Sequence, residues 1–219
     1  MKIKTFTLTL ESDREIKENA AKLRGFFATK FNEYALLHHH ICDRFIYKYP
    51  LIQYKMLNKV PTIIGINEGA EVLKEIYDKC DFIRLGENKY EIFGRGINIK
   101  NHEFGISKKF ETYSFLTPWF ALNQKNHEKY EKFSDNDKKS FLQKILTGNI
   151  LSMSKGLNYT VDDRIKCEIK VRPVSSSYKK NFITAFRGFF MTNFKIPDYL
   201  GIGKAVSRGF GTVIKISVK

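Results

Sequence analysis

The sequence predicts an α+β protein of two tandem ferredoxin-like domains, each an RRM-like βαββαβ unit, with a glycine-rich loop near the C-terminus. Three observations carry this. The two halves run through a similar order of strand, helix, hairpin, second helix or its degraded equivalent, and strand. Apolar residues alternate with a period of two at Phe6–Leu10 and Ile165–Val171 and recur at helical spacing from Ile16 to Tyr34 and from Phe141 to Met153. The chain has 219 residues, 42% of them hydrophobic, enough for one large or two small cores.

Phe6, Leu8 and Leu10 alternate with Thr5, Thr7 and Thr9 as a half-buried strand. Ser12 with Glu15 reads as a capping box. Behind it Ile16, Ala20, Leu23, Phe27, Phe31 and Tyr34 give a helix of about five turns. A β-rich stretch follows near Phe45 to Lys55. A second helix starts around Asn67 or Glu68 and uses Val72, Leu73, Ile76 and Cys80. Phe82–Leu85 and Tyr90–Phe93, joined by Gly86-Glu87-Asn88-Lys89, read as a hairpin. In the second half, strand-like sequence runs from Phe110 to Phe120. Ser134 with Asp137 opens a helix that closes near Gly156. Ile165, Cys167, Ile169 and Val171 alternate with Lys166, Glu168, Lys170 and Arg172, and Pro173 is expected to end that strand. A β-rich run, Ile183 to Phe194, precedes the glycine loop and a terminal strand, Thr212 to Val218. The join lies between Asn98 and Lys109, which sets the domains at residues 1–104 and 105–219.

Lys plus Arg number 38 against 23 acidic residues, a formal net charge of +15. Such an excess repels itself in a compact fold and points to a polyanionic partner, nucleic acid first. Anionic membrane is the weaker candidate, because no segment approaches the roughly 20 apolar residues of a spanning helix. The N-terminus lacks the apolar core of a signal peptide. Three scattered cysteines, Cys42, Cys80 and Cys167, argue against a disulfide framework or a cysteine zinc site and fit a reducing cytoplasm.

Gly201-Ile202-Gly203-Lys204-Ala205-Val206-Ser207-Arg208-Gly209-Phe210-Gly211 is the most informative stretch. Glycines permit close approach of another backbone or a phosphate, and successive N–H groups in such turns form anion-binding concavities. Lys204 and Arg208 add charge where a phosphate would sit. It is not a dinucleotide fingerprint, which needs glycine where Val206 stands. It is not a P-loop either, because Gly203-Lys204 is followed by Ala205. The bland reading is a glycine-rich hairpin. The expected RNA-binding set is Gly201, Gly203, Lys204, Arg208, Gly209 and Gly211 with Lys166, Lys170 and Arg172 from the charged strand face.

His38-His39-His40 follows the first helix. In an extended segment His38 and His40 would share a face, with His39 pointing elsewhere. A metal site would need further ligands from Asp43, His102 or His127, and the spacing does not demand it. The plain alternative is a helix end with solvated histidines. The functional reading is general acid–base catalysis on RNA, since a pKa of about 6.5 suits both proton removal and donation. One imidazole takes the proton from a 2′-hydroxyl, which attacks the adjacent phosphate, and a second group protonates the departing 5′-oxygen. Tyr47, Lys48 and Lys30 are candidates to orient the phosphate or stabilise its charge. No metal and no cofactor is called for.

The pattern Gly-h-Gly-x5-Gly-h-Gly, with h hydrophobic and a basic residue within the five, resembles the C-terminal loop of the RAMP superfamily of CRISPR-associated proteins. Gly201-Ile202-Gly203 and Gly209-Phe210-Gly211 match every fixed position. Leu23-Arg24-Gly25-Phe26-Phe27, Leu36-Leu37-His38-His39-His40, Tyr49-Pro50-Leu51-Ile52-Gln53-Tyr54-Lys55 and Ile63-Ile64-Gly65-Ile66-Asn67-Glu68-Gly69-Ala70 are similar to the repeat-processing endoribonucleases of the Cas6 family, subtype b. The resemblance implies metal-independent cleavage of CRISPR precursor RNA within its repeats, leaving a 2′,3′-cyclic phosphate and a 5′-hydroxyl. It implies a catalytic histidine at His38 or His40, with the acid and base roles open. The expected partner is single-stranded or hairpin repeat RNA, with a CRISPR effector complex as a further candidate partner and a monomer or homodimer as the assembly. The rivals are a non-catalytic RNA-binding subunit of such a complex, which would not need the histidine pair, and a generic ribosomal or DNA-bound module, which would not need the full glycine pattern.

Overall fold

The structure is a computed structural model that describes residues 1–38, 40–41, 44–45 and 49–216; of residues 38, 40, 41, 44 and 45 it describes the backbone alone. Two compact bodies result. The first comprises Lys2–His102 with Ser207–Gly209, and the second comprises Met1, Glu103–Val206 and the residues from Phe210 on.

In the first body β1 (Lys2–Ser12) is followed by α1 (Ala20–Lys30), α2 (Ala35–His38), the two-residue strands β2 (His40–Ile41) and β3 (Arg44–Phe45), β4 (Ile52–Leu57), β5 (Val60–Ile66), α3 (Glu68–Ile76), β6 (Phe82–Leu85) and β7 (Asn88–Glu103). The sheet order is β4-β5-β1-β7-β6. Without β6 this is the ferredoxin-like order, with α1 and α3 as its two helices. The threonine alternation of β1 sends Phe6, Leu8 and Leu10 into the core, where Leu23, Phe27, Leu73 and Ile76 meet them. Leu8 stands opposite Ile63 in the β1–β5 ladder, so one buried face is continuous across the sheet.

Three expectations change here. Ser12 does not cap a helix, because β1 runs through it and Asp13 is tied to β7, its N–H donating to the Glu91 carbonyl at 3.0 Å. Asn19 is the cap instead, its side chain accepting from the N–H groups of Ala21 and Lys22 at 3.1 Å. α1 is therefore 11 residues long, and Ile16, though buried, lies before it. Tertiary ties to a neighbouring strand outweighed a local capping signal worth about 1 kcal/mol. The strand β5 has no counterpart in the sequence reading, because Val60–Ile66 carries Pro61 and Gly65 and lacks alternation.

The second body contains β8 (Gly105–Phe115), α4 (Gln124–Glu131), α5 (Asp135–Gly156), β9 (Cys167–Tyr178), β10 (Asn181–Lys195), a 3₁₀ turn (Val206–Arg208) and β11 (Val213–Ile216). Its sheet order, β11-β8-β10-β9, is again ferredoxin-like, with α5 as the first crossover helix. The second crossover helix is replaced by the glycine loop. Ser134 caps α5 as its sequence pattern with Asp137 requires, its hydroxyl accepting from the Asp137 N–H at 3.3 Å. Pro173 does not end β9; it sits opposite Phe186 in an unbroken ladder to Tyr178. β9 is the edge of the sheet, where a missing N–H is tolerated. The core is aromatic: Phe115 stacks on Trp119 at 5.4 Å, and Tyr113 and Phe115 flank Phe190 at 5.4 and 5.1 Å. Phe115, Phe186, Phe190 and Phe194, all buried, are thus structural. Among the described residues no helix is long and apolar enough to cross a membrane.

Candidate nucleic-acid interface

The histidine segment begins where α2 ends. His38 is the last residue of α2 and His40 opens β2, which pairs with β3 through His40↔Phe45 and Ile41↔Arg44. His38 therefore belongs to a helix end rather than to an extended run. The side chains of His38 and His40, and Tyr47 and Lys48 entirely, lie outside the described residues. Lys30, in the last turn of α1, is described. Its ammonium lies 5.5 to 6.0 Å from the ring centres of Phe26, Phe31 and Phe82, within reach of cation–π attraction. It also opposes the upward push that burial exerts on the Cys80 thiol.

β4, the strand after this segment, is buried on both faces. Ile52 and Tyr54 face the helices, and Phe27 packs on the Tyr54 ring at 6.0 Å. Gln53 and Lys55 point to the other face and are 0% exposed. The Lys55 Nζ donates to Gln53 Oε1 at 3.1 Å, and Gln53 Nε2 donates to the Pro50 carbonyl at 3.2 Å. Desolvation pulls the Lys55 ammonium down to about 7. The Tyr54 hydroxyl, also buried, has no hydrogen-bond partner among the described residues, and desolvation raises its pKa. Sequence reasoning missed Lys55 as a chemically distinct group. A lysine alternating with apolar residues reads as the solvent face, and only the cover on that face makes it unusual.

The tip of the glycine loop reaches this same strand. Ser207–Gly209 belongs to the first body, and the pro-side-chain position of Gly209 stands 3.2 Å from the Tyr54 carbonyl and 2.9 Å from the Ala20 methyl. The rest of the loop is anchored in the second body. A side chain at Gly203 (φ +97°) would stand 2.7 Å from the Trp119 indole nitrogen, and one at Gly211 (φ +63°) would overlap the Ile202 carbonyl. These two positions need glycine for both reasons at once. Three loop amides are committed inside the body: Ile202 N–H to Gly211 O at 2.9 Å, Lys204 N–H to Phe120 O at 2.8 Å, and Gly211 N–H to Pro118 O at 2.8 Å. The glycine pattern thus builds a close-packed crossing. Lys204 is exposed and Arg208 half-buried.

The charged face of β9 is as the alternation requires. Ile165 and Ile169 are buried, while Lys166, Lys170 and Arg172 are exposed. Lys166 stands one residue before the strand, its N–H held by Asn193 Oδ1 at 2.8 Å. Arg172 faces Arg187 of β10 directly across the ladder, and Lys170 faces Phe189. Like charges directly opposite are unfavourable, and a phosphate between them would relieve the repulsion. Phe189 is 42% exposed with the Lys170 ammonium 5.9 Å from its ring centre.

Among the described residues no group of His, Cys, Asp and Glu is placed to hold a metal. His102 Nε2 bonds Thr5 Oγ1 at 2.9 Å, and His127 Nε2 bonds Thr184 Oγ1 at 2.9 Å.

Two family models, described as the Cas6b N-terminal domain and the Cas6b C-terminal domain, match residues 1–103 and 105–216. A solved structure described as a crystal structure of Cas6b is 38% identical, with a TM-score of 0.91, over 99% of this chain and 100% of that one. The crystal structure of a CRISPR RNA processing endoribonuclease Cas6b is 37% identical, with a TM-score of 0.79 and the same coverage. An uncharacterized protein of Methanocaldococcus jannaschii is 44% identical over 135 residues, 61% of this chain and 92% of that protein. More distant Cas6 structures, such as a product complex at 12% identity and a TM-score of 0.56, share the fold alone. On both domains, and over nearly every residue, the chain belongs to the Cas6b family.

Proposed function

We propose that the chain is a metal-independent endoribonuclease that cuts CRISPR precursor RNA within its repeats. The observation that carries this reading is the match of both Cas6b domain models across residues 1–103 and 105–216. A similar structure is described as a CRISPR RNA processing endoribonuclease. His38 and His40 supply the general base and the general acid. One imidazole accepts the 2′-hydroxyl proton as the 2′-oxygen bonds to the adjacent phosphorus. The bond from phosphorus to the 5′-oxygen breaks, and the other imidazole gives that oxygen a proton. The products are a 2′,3′-cyclic phosphate and a 5′-hydroxyl. Tyr47 orients the phosphate, and Lys30, for which no carboxylate partner is found among the described residues, neutralises its growing charge. Lys166, Lys170, Arg172, Lys204 and Arg208 hold the RNA backbone, as befits a chain of net charge +15. The work is done in the cytoplasm, and the product RNA passes to a CRISPR effector complex.

The test is incubation with repeat RNA in EDTA, followed by direct 5′-labelling of the fragments with a polynucleotide kinase. The downstream fragment is expected to take label without prior phosphatase treatment. A 5′-phosphate, or cleavage that stops in EDTA, would overturn the reading.

A further inference from the structure

The second body holds a cavity of about 740 Å³, of whose lining the reading above uses Lys204 alone. It is walled by the β9–β10 hairpin, the start of α4 and the glycine loop, and its size lies within the usual range of ligand pockets. Phe120 and Phe182 line it, with Gln124, His127, Thr184 and Lys204. The Phe120 ring is held by Tyr178 and Phe210, at centroid distances of 5.4 and 5.8 Å. Phe182 is 89% exposed, the most exposed large apolar side chain among the described residues. Lys204 is fixed at the rim because its N–H is bonded to the Phe120 carbonyl. The His127 ring is oriented by Thr184 at 2.9 Å.

The hairpin tip beside Phe182 is built against local preference. Tyr178 pairs with Asn181 around Lys179 and Lys180, which take φ of +50° and +67°. A two-residue turn with both φ positive favours Asn-Gly, and a lysine at such a φ carries backbone strain. Two cations are thus held at the tip despite strain, a pattern found where a site needs the residue more than the fold does.

We propose that this cavity receives one unpaired nucleobase of the bound RNA. Phe182 and Phe120 supply its stacking walls, and Gln124 and His127 face the base edge. Lys204, Lys179 and Lys180 hold the flanking phosphates. The proposal rests on the RNA-processing reading above. Lys204 at the rim and two lysines at the tip of the lining hairpin suit a base within a chain, because a free mononucleotide would leave most of them without a phosphate.

The test measures the affinity of the full chain for repeat RNA and for a series of the same RNA, each with one abasic residue. Wild type is measured first against repeat and scrambled RNA; absence of any preference there means that the RNA-processing reading itself has failed, and the proposal with it. Given that preference, Phe182→Ala is expected to weaken repeat binding by about 5- to 100-fold, the effect of losing one base–aromatic stack. Phe182→Trp is expected to restore it. One abasic position is expected to weaken wild type by a similar factor and to leave Phe182→Ala no weaker than on intact RNA. Single-turnover cleavage at subsaturating RNA should fall in Phe182→Ala by the same factor as the affinity. Wild-type affinity in Phe182→Ala overturns the proposal. So does full additivity with every abasic position, or a loss of saturated cleavage rate with affinity intact.

Discussion

Replacing His38 and His40 together by alanine is expected to abolish measurable cleavage of repeat RNA and to leave its binding intact. Each general acid or base contributes about 10²- to 10⁴-fold, so single-turnover rates at saturating RNA should fall by at least about 10³-fold in the double variant. The RNA backbone contacts proposed for β9 and the glycine loop assign no role to either imidazole, so the dissociation constant should stay near the wild-type value. In wild type the rate should follow a bell-shaped pH profile, one limb set by the general base and the other by the general acid. Each single variant should lose one limb, and the limb lost assigns the base and the acid. Unchanged cleavage by the double variant would remove the histidines from the mechanism. Tight binding with no cleavage by the wild-type protein would make the chain a non-catalytic RNA-binding subunit.

Folding stability should rise with pH between about 7 and 10 because of Lys55, and Lys55→Met should remove that rise. The side chain is 0% exposed, and desolvation brings its folded-state pKa to about 7 from an ordinary 10.5. Above 10.5 the amine is neutral folded or unfolded. Between 10.5 and about 7 the unfolded chain is protonated there and the folded chain is not, so protons favour unfolding. Below about 7 both states are charged and the dependence ends. The difference in unfolding free energy between wild type and Lys55→Met should therefore move in favour of wild type by about 1.4 kcal/mol per pH unit. From pH 7.5 to 9.5 that is about 3 kcal/mol in denaturant titrations. Taking the difference cancels the cysteines and tyrosines, which titrate in both proteins. Loss of the Lys55–Gln53 hydrogen bond adds a pH-independent penalty of about 1–3 kcal/mol, which the slope excludes. Parallel curves would show that Lys55 remains charged when folded.

The architecture was legible where local chemistry and tertiary environment agree. The Ser134 cap, the alternation around Ile165 and Ile169, and the helix at Glu68 were all read correctly because the same residues satisfy propensity and burial. The expectations that the structure changes are places where a long-range partner decides the outcome. Glu91 claims the Asp13 segment that would have opened a helix, and the edge position of β9 accommodates Pro173. At the interface, the exposed lysines of β9 follow from their period of two. The glycine pattern identified the loop but not its physical work, which is close packing against Trp119 and Ile202. Lys55 and the Phe120–Phe182 cavity were invisible, because they depend on what covers a strand face and on which loops converge.

The most direct test of the account replaces a single ribose. The protein is incubated in EDTA with repeat RNA and with the same RNA carrying a 2′-deoxy sugar at the cleavage position. Cleavage of the first and complete resistance of the second, with equal affinity for both, is the result expected of attack by the 2′-hydroxyl. Cleavage of the deoxy substrate at the same position would contradict it, because the nucleophile would then have to be water and His38 and His40 would need another role.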